Sequence, residues 1–210
     1  MHSTRWILFA SLALLLSFTV HAQKHEADHK NASLGITFSS FGDNALVHFE
    51  PLVGAASYSG KSFYSLGMDY LAPISQSFDF ETGIEYSHHK MMVDPNLPPS
   101  MDKPEYPVYL DMVELPFGIR FNFLNYFFVG AGGLLNLDVS HPGISATQTG
   151  MGACASLGVK YDFKSGLSAF INPYVKASAL LPFSSEDPHR HLMVAGWRFG
   201  VLYRLGGKND

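Results

Sequence analysis

One cysteine, Cys154, stands in 210 residues, so the chain has no internal disulfide and must be held together by packing and hydrogen bonds. Charge is scarce at 15%, and no run of Lys and Arg offers the electrostatic footprint that phosphate backbones require. Nucleic acid is therefore excluded as a partner. Long apolar runs are also few. The one such run, Ile7 to Phe18, follows Arg5, precedes Val20-His21-Ala22, and falls short of the ~20 residues that a spanning helix needs. It reads as a secretory signal, residues 1–22, taken by the Sec pathway and cleaved after Ala22. No cysteine occupies the cleavage position, which excludes a lipid-anchored lipoprotein.

What is present is a folding composition: 47% hydrophobic residues, 14% aromatics and 19 glycines, a mixture that favours strands and turns over helices and excludes disorder. After the signal no 20-residue apolar stretch remains, so the chain can enter a membrane only as a closed barrel, the one sheet without unpaired edges. Strands are expected near Ser33 to Ser40, Ser62 to Leu71, Phe78 to His88, Tyr109 to Phe123, Tyr126 to Val139, Met151 to Phe163, Leu167 to Ser178 and Leu192 to Leu205. The connections after the second, fourth and sixth are brief, whereas those after the first, third, fifth and seventh are long. That rhythm predicts an all-β fold, an eight-stranded antiparallel transmembrane β-barrel in an up-and-down meander, with short periplasmic turns and long outer loops. The expected organisation is a periplasmic tail over 23–31, the barrel over 32–206 and a second periplasmic tail over 207–210.

Alternation with a period of two gives each strand two faces. In the fourth strand Val113, Leu115, Phe117, Ile119, Phe121 and Phe123 oppose Glu114, Gly118, Arg120 and Asn122. In the last, Trp197, Phe199, Val201 and Tyr203 oppose Gly196, Arg198, Gly200 and Arg204. Alternation alone does not separate a membrane barrel from a soluble one, but residue size does. An eight-stranded barrel has a narrow interior, so the bulky apolar faces belong outside, towards lipid, and the Gly-, Ser- and Ala-rich faces inside. On that register the lumen receives Asp69, Asp79, Glu81, Glu85, Glu114 and Asp162, and with them Arg120, Lys160, Lys176, Arg198 and Arg204. Desolvated charges persist when they are paired. A cross-lumen charge network that plugs the barrel is expected, and a general diffusion pore is not, since such pores use 16 to 18 strands. A narrow path for small solutes or ions is the alternative reading of the same charges.

Motifs for chemistry are weak. A lipid-modifying hydrolase needs a Ser, a His and a carboxylate that converge in space. The nearest candidate is Ser87-His88-His89 with Glu85, all on one strand at the base of a loop, and no enzyme is expected from it. His48, His88, His89, His141, His189 and His191 fall on the outer side, and His25 and His29 in the tail, without diagnostic metal-ligand spacing, so neither a metal site nor a cofactor is expected. The outer loop after the third strand, Lys90 to Pro107, starts with Met91 and Met92 and is stiffened by Pro95, Pro98, Pro99, Pro104 and Pro107, which suits contact with partners or surface polysaccharide.

The central stretch from Val108 to Asn136 carries Tyr109-Leu110, Glu114-Leu115-Pro116, a tight turn, and the aromatic- and Gly-rich Phe127 to Gly133. With the closing Phe199-Gly-Val-Leu-Tyr-Arg-Leu205 it resembles the PorT-like outer-membrane β-barrel domain family. The resemblance implies an outer-membrane location and, for the family's namesake, a part in protein secretion. It supplies no catalytic residues. Against that pattern Met112 and Val113 are extra and mark a bulge or shifted register, and the chain ends in a polar tail, Gly206 to Asp210, without a terminal aromatic. The functional expectation is a non-enzymatic envelope scaffold or interaction protein that works through its outer loops. Its expected partners are outer-membrane lipid and envelope or secretion-complex proteins.

Overall fold

A computed structural model of the chain describes residues 31–47, 57–95, 104–140, 148–183 and 190–206. The expected signal segment, most of the N-terminal tail and residues 207–210 lie outside these, as do Pro98, Pro99, His25, His29, His48, His141 and His189. The described residues form β1 (Ser33–Val47), β2 (Ser57–Pro73), β3 (Phe78–Asp94), β4 (Tyr106–Phe123), β5 (Phe127–Asp138), β6 (Gly150–Asp162), β7 (Leu167–Pro182) and β8 (His191–Arg204). Each strand pairs antiparallel with the next, and β1 pairs with β8, so the eight close into a barrel without an edge.

The barrel is inside-out. Ile36, Leu66, Met68, Ile84, Ile119, Val129, Leu157, Val175, Trp197, Phe199 and Val201 are all exposed on its outer wall. A soluble protein rarely exposes a contiguous apolar patch beyond a few hundred Å², whereas here the apolar face follows every strand around the wall. Lipid is the solvent that such a surface fits.

β1, β2, β3, β4 and β7 are longer than expected, and the added length corrects the expected strand ends. β3 continues to Asp94 and β4 starts at Tyr106, so Lys90, Met91, Met92 and Pro107 belong to the sheet and not to the loop after the third strand. Alternation persists through the added residues: His89, Met91 and Val93 are buried while Lys90 and Met92 take the other face. The ladder extends because, past the lipid, outward positions accept polar side chains and the inward ones still have an interior to fill. β1 reaches Val47 through a bulge between Ser39 and Phe41, which shifts its buried set from Thr37 and Ser39 to Asn44 and Leu46. The bulge or shifted register expected at Met112 and Val113 is absent: β4 runs against β5 in unbroken register from Met112 opposite Asp138 to Phe123 opposite Phe127.

Glycines on the inner face make room for rings. A Cβ on Gly158 would meet the Phe128 ring at 2.3 Å, and one on Gly200 the Phe170 ring at 2.3 Å. Those two phenylalanines pack edge to face with Leu71 and Leu202 as a lower apolar layer inside the barrel. A larger upper layer of Leu46, Phe63, Met91, Leu110, Met112, Tyr174, Leu192 and Val194 fills the outer half.

The turn after β4 holds Leu124 and Asn125 both at positive φ, 50° and 62°. The left-handed region suits Asn but costs leucine on the order of 1 kcal/mol, and Leu124 is 46% exposed, so it recovers little by packing. Leu124→Asn is expected to stabilise the barrel by about 1 kcal/mol in urea unfolding. A loss of stability would show that the side chain contributes more than its exposure suggests.

Candidate functional site: the lumen network and the outer rim

Two layers of charge lie between the apolar layers. In the upper one, Lys176 of β7 donates to Glu85 Oε1 of β3 at 2.6 Å and to Glu114 Oε2 of β4 at 2.9 Å, and all three side chains are buried. Glu85 and Glu114 face each other across the β3–β4 pair, so Lys176 is the cation that keeps two adjacent carboxylates compatible. In the lower layer Arg120 makes a bidentate contact with Glu81, 3.0 Å from Nε and 2.8 Å from Nη2, while its guanidinium lies 4.2 Å from the Phe128 ring centroid. Arg198 adds Nη2 to Glu81 at 3.3 Å, Nε to Asn172 at 3.3 Å, and an ion pair with Asp69 at 3.7 Å.

The remaining charges expected in the lumen lie at the mouth beside the short turns, the end expected to face the periplasm. Asp79 accepts from Asn122 at 2.7 Å, Lys160 pairs with Asp162 at 3.7 Å, and Ser168 also donates to Asp162. Arg204 lines the same vestibule but makes no side-chain contact with these groups. The eleven expected residues are thus divided, with Asp69, Glu81, Glu85, Glu114, Arg120, Lys176 and Arg198 in the two inner layers and Asp79, Lys160, Asp162 and Arg204 at the opening.

Several interior groups were not anticipated. Asn44 Nδ2 meets His89 Nδ1 at 3.3 Å, His89 Nε2 meets Ser87 Oγ at 3.1 Å, and the imidazole stacks on Phe63. Tyr174 and Ser39 share a hydrogen bond of 2.9 Å across the barrel. The signal for Asn44 and His89 is the alternation continued past the expected strand ends, and for Ser39, Phe63, Ser87 and Tyr174 it is parity within the expected strands. Space inside is small. One cavity of ≈ 40 Å³ lies between the charge layers and the Gly118, Gly130 and Gly132 wall, beside Cys154, and one of ≈ 40 Å³ lies at the short-turn mouth. Each has room for a few waters.

The Ser87-His88-His89 candidate is split by the wall. Ser87, His89 and Glu85 face inward, and His88 faces outward. On the outer surface His88 Nδ1 lies 2.6 Å from Asp111 Oδ1, and the Tyr86 hydroxyl donates to the same oxygen at 2.6 Å. The imidazole is sandwiched between the Tyr64 ring, with centroids 5.3 Å apart, and the Tyr109 ring, at 5.6 Å. This cluster spans β2, β3 and β4. No group of three or more His, Cys, Asp or Glu side chains arranged for a metal ion occurs among the described residues.

No protein-family model matches the chain, and no curated protein does either. Solved structures do resemble it. The outer membrane protein OprG from Pseudomonas aeruginosa superposes with a TM-score of 0.54 over 85% of this chain and 97% of its own, at 12% identity. The outer membrane protein AlkL, solved by solid-state NMR in DMPC lipid bilayers, gives 0.51 over 86% and 93% at 10% identity. At such identity the likeness concerns the fold, and that fold is the small eight-stranded outer-membrane β-barrel.

Proposed function

We propose that the chain is a non-enzymatic outer-membrane protein, exported through Sec with its signal removed after Ala22. Its barrel serves as a scaffold or interaction platform through the outer connections, supporting envelope or secretion-complex proteins. The observation that supports this best is the filled lumen. Two apolar layers and two ion-paired layers follow one another along the axis, and the two cavities described above have room for a few waters each. A transport route needs continuous polar space wider than that. Ser87 and His89 do meet, at 3.1 Å, but both are buried in the lumen and the other imidazole nitrogen faces Asn44 and no carboxylate, which weighs against an acyl hydrolase. The secretion element of the reading leans on the PorT-like pattern of β4, β5 and β8, and the membrane element on the exposed apolar wall.

Purified protein in a planar bilayer is expected to show no stable single-channel steps at moderate voltage. Reproducible unitary conductance that disappears when the protein is omitted would replace the scaffold reading with that of a narrow channel.

A further inference from the structure

The outer-rim cluster has no part in the lumen and marks a boundary on the wall. Outward positions on β3 run Phe78, Phe80, Thr82, Ile84 and Tyr86, then change to His88 and Lys90. From Phe78 to Tyr86 the strand runs nine residues, within the ~9–11 that a tilted transmembrane strand uses to cross the apolar band. On β4 the outward residues are apolar from Phe123 to Val113 and then become Asp111 and Tyr109. His88, Asp111, Tyr64 and Tyr109 therefore occupy one patch at the level where acyl chains give way to head groups.

What the patch presents decides what it takes. Tyr64, Tyr86 and Tyr109 are each 38–49% exposed, so ring surface remains open, although Tyr64 and Tyr109 also stack on the imidazole and the Tyr86 hydroxyl is held by Asp111. With Nδ1 held by Asp111, His88 turns Nε2 outward as a further hydrogen-bonding atom. Asp111 brings a negative charge, which disfavours a phosphate at contact distance, and Lys90 brings one positive charge two residues further along. A patch of net charge near zero, with aromatic faces beside hydroxyl, imidazole and carboxylate groups, suits a ligand that offers C–H faces and many hydroxyls. We propose that this patch binds the sugar head group of an outer-leaflet glycolipid, whose acyl chains lie against Leu66, Ile84 and Val113 below it. The inference rests on the outer-membrane reading above.

The test is native mass spectrometry of the full mature barrel released from mixed micelles. These carry equal amounts of a neutral monoglucosyl diacylglycerol and of phosphatidylglycerol with matched chains. The barrel is expected to retain the glycolipid at least about tenfold over phosphatidylglycerol, a ratio that corresponds to ~1.4 kcal/mol. His88→Ala and Asp111→Ala should each bring the ratio to within about twofold of unity, while Tyr203→Ala, on the opposite girdle, leaves it intact; all variants are checked for strand content by circular dichroism. Equal retention of the two lipids, a preference for phosphatidylglycerol, or a preference that survives in both rim variants would each overturn the proposal. A barrel that does not enter lipid vesicles at all would instead overturn the outer-membrane reading, and this one with it.

Discussion

Lys176→Met is expected to cost the barrel about 3–5 kcal/mol, the range found when one member of a buried ion group is removed and its partners stay behind. The reason lies in what remains. Glu85 and Glu114 are opposite one another in the β3–β4 register, both buried, and both bonded to the same ammonium. Methionine fills the volume but leaves two carboxylates facing each other in a dry interior. A triple variant, Lys176→Met with Glu85→Gln and Glu114→Gln, removes all three charges and is expected to recover most of the loss, because apolar or neutral replacement of a whole buried group is often close to neutral. Urea unfolding of protein folded into lipid vesicles, followed by tryptophan fluorescence, provides both values. If the single variant stays within about 1 kcal/mol of the parent, the ion group contributes little to stability and the packing around it holds the barrel.

Arginine at Ile119 is expected to destabilise the bilayer-inserted barrel by about 2–4 kcal/mol, whereas arginine at Tyr203 costs ~0–1 kcal/mol. Both residues point outward and are exposed. They differ in depth, since Ile119 lies within the apolar run of β4 from Val113 to Phe123 and Tyr203 lies near the short-turn end of β8. Water around the wall would remove the difference, because an exposed surface substitution in a soluble protein usually changes stability by less than about 0.5 kcal/mol. Equal and small effects at the two positions in the same vesicle assay would contradict the lipid-facing assignment.

The strand count, the antiparallel meander and the sense of each face were legible in the sequence because they follow from a period of two and from residue size. Val113 to Phe123 and Trp197 to Tyr203 carry the pattern without interruption. Strand ends were less legible. The rule used to find them was a change from apolar to polar on the outer face, and at His88 that change marks the edge of the lipid, not the end of the ladder. The same confusion placed His89 and Met91 in a loop when both are buried. The lumen charges could be assigned to a face by parity, but not to one another. Which acid meets Lys176 depends on stagger around the barrel, and the bulges in β1 and β2 alter that stagger. The His88–Asp111 contact was hidden for a related reason, since both residues lay in expected strands but their register across the β3–β4 pair could not be read from parity.

The sequence separations inside the lumen bear on how the barrel comes to exist. Lys176 reaches back 91 residues to Glu85 and 62 to Glu114, and Arg198 reaches back 117 to Glu81. None of these bonds can form within a single hairpin. An unsealed sheet would carry its acids mainly on β2 to β4 and its bases mainly on β6 to β8, opposite fields at the two ends that the β1–β8 seam joins. Salt, which shortens the reach of exposed charges and leaves desolvated pairs largely unscreened, is therefore expected to slow folding into lipid vesicles more than it lowers the stability of the finished barrel.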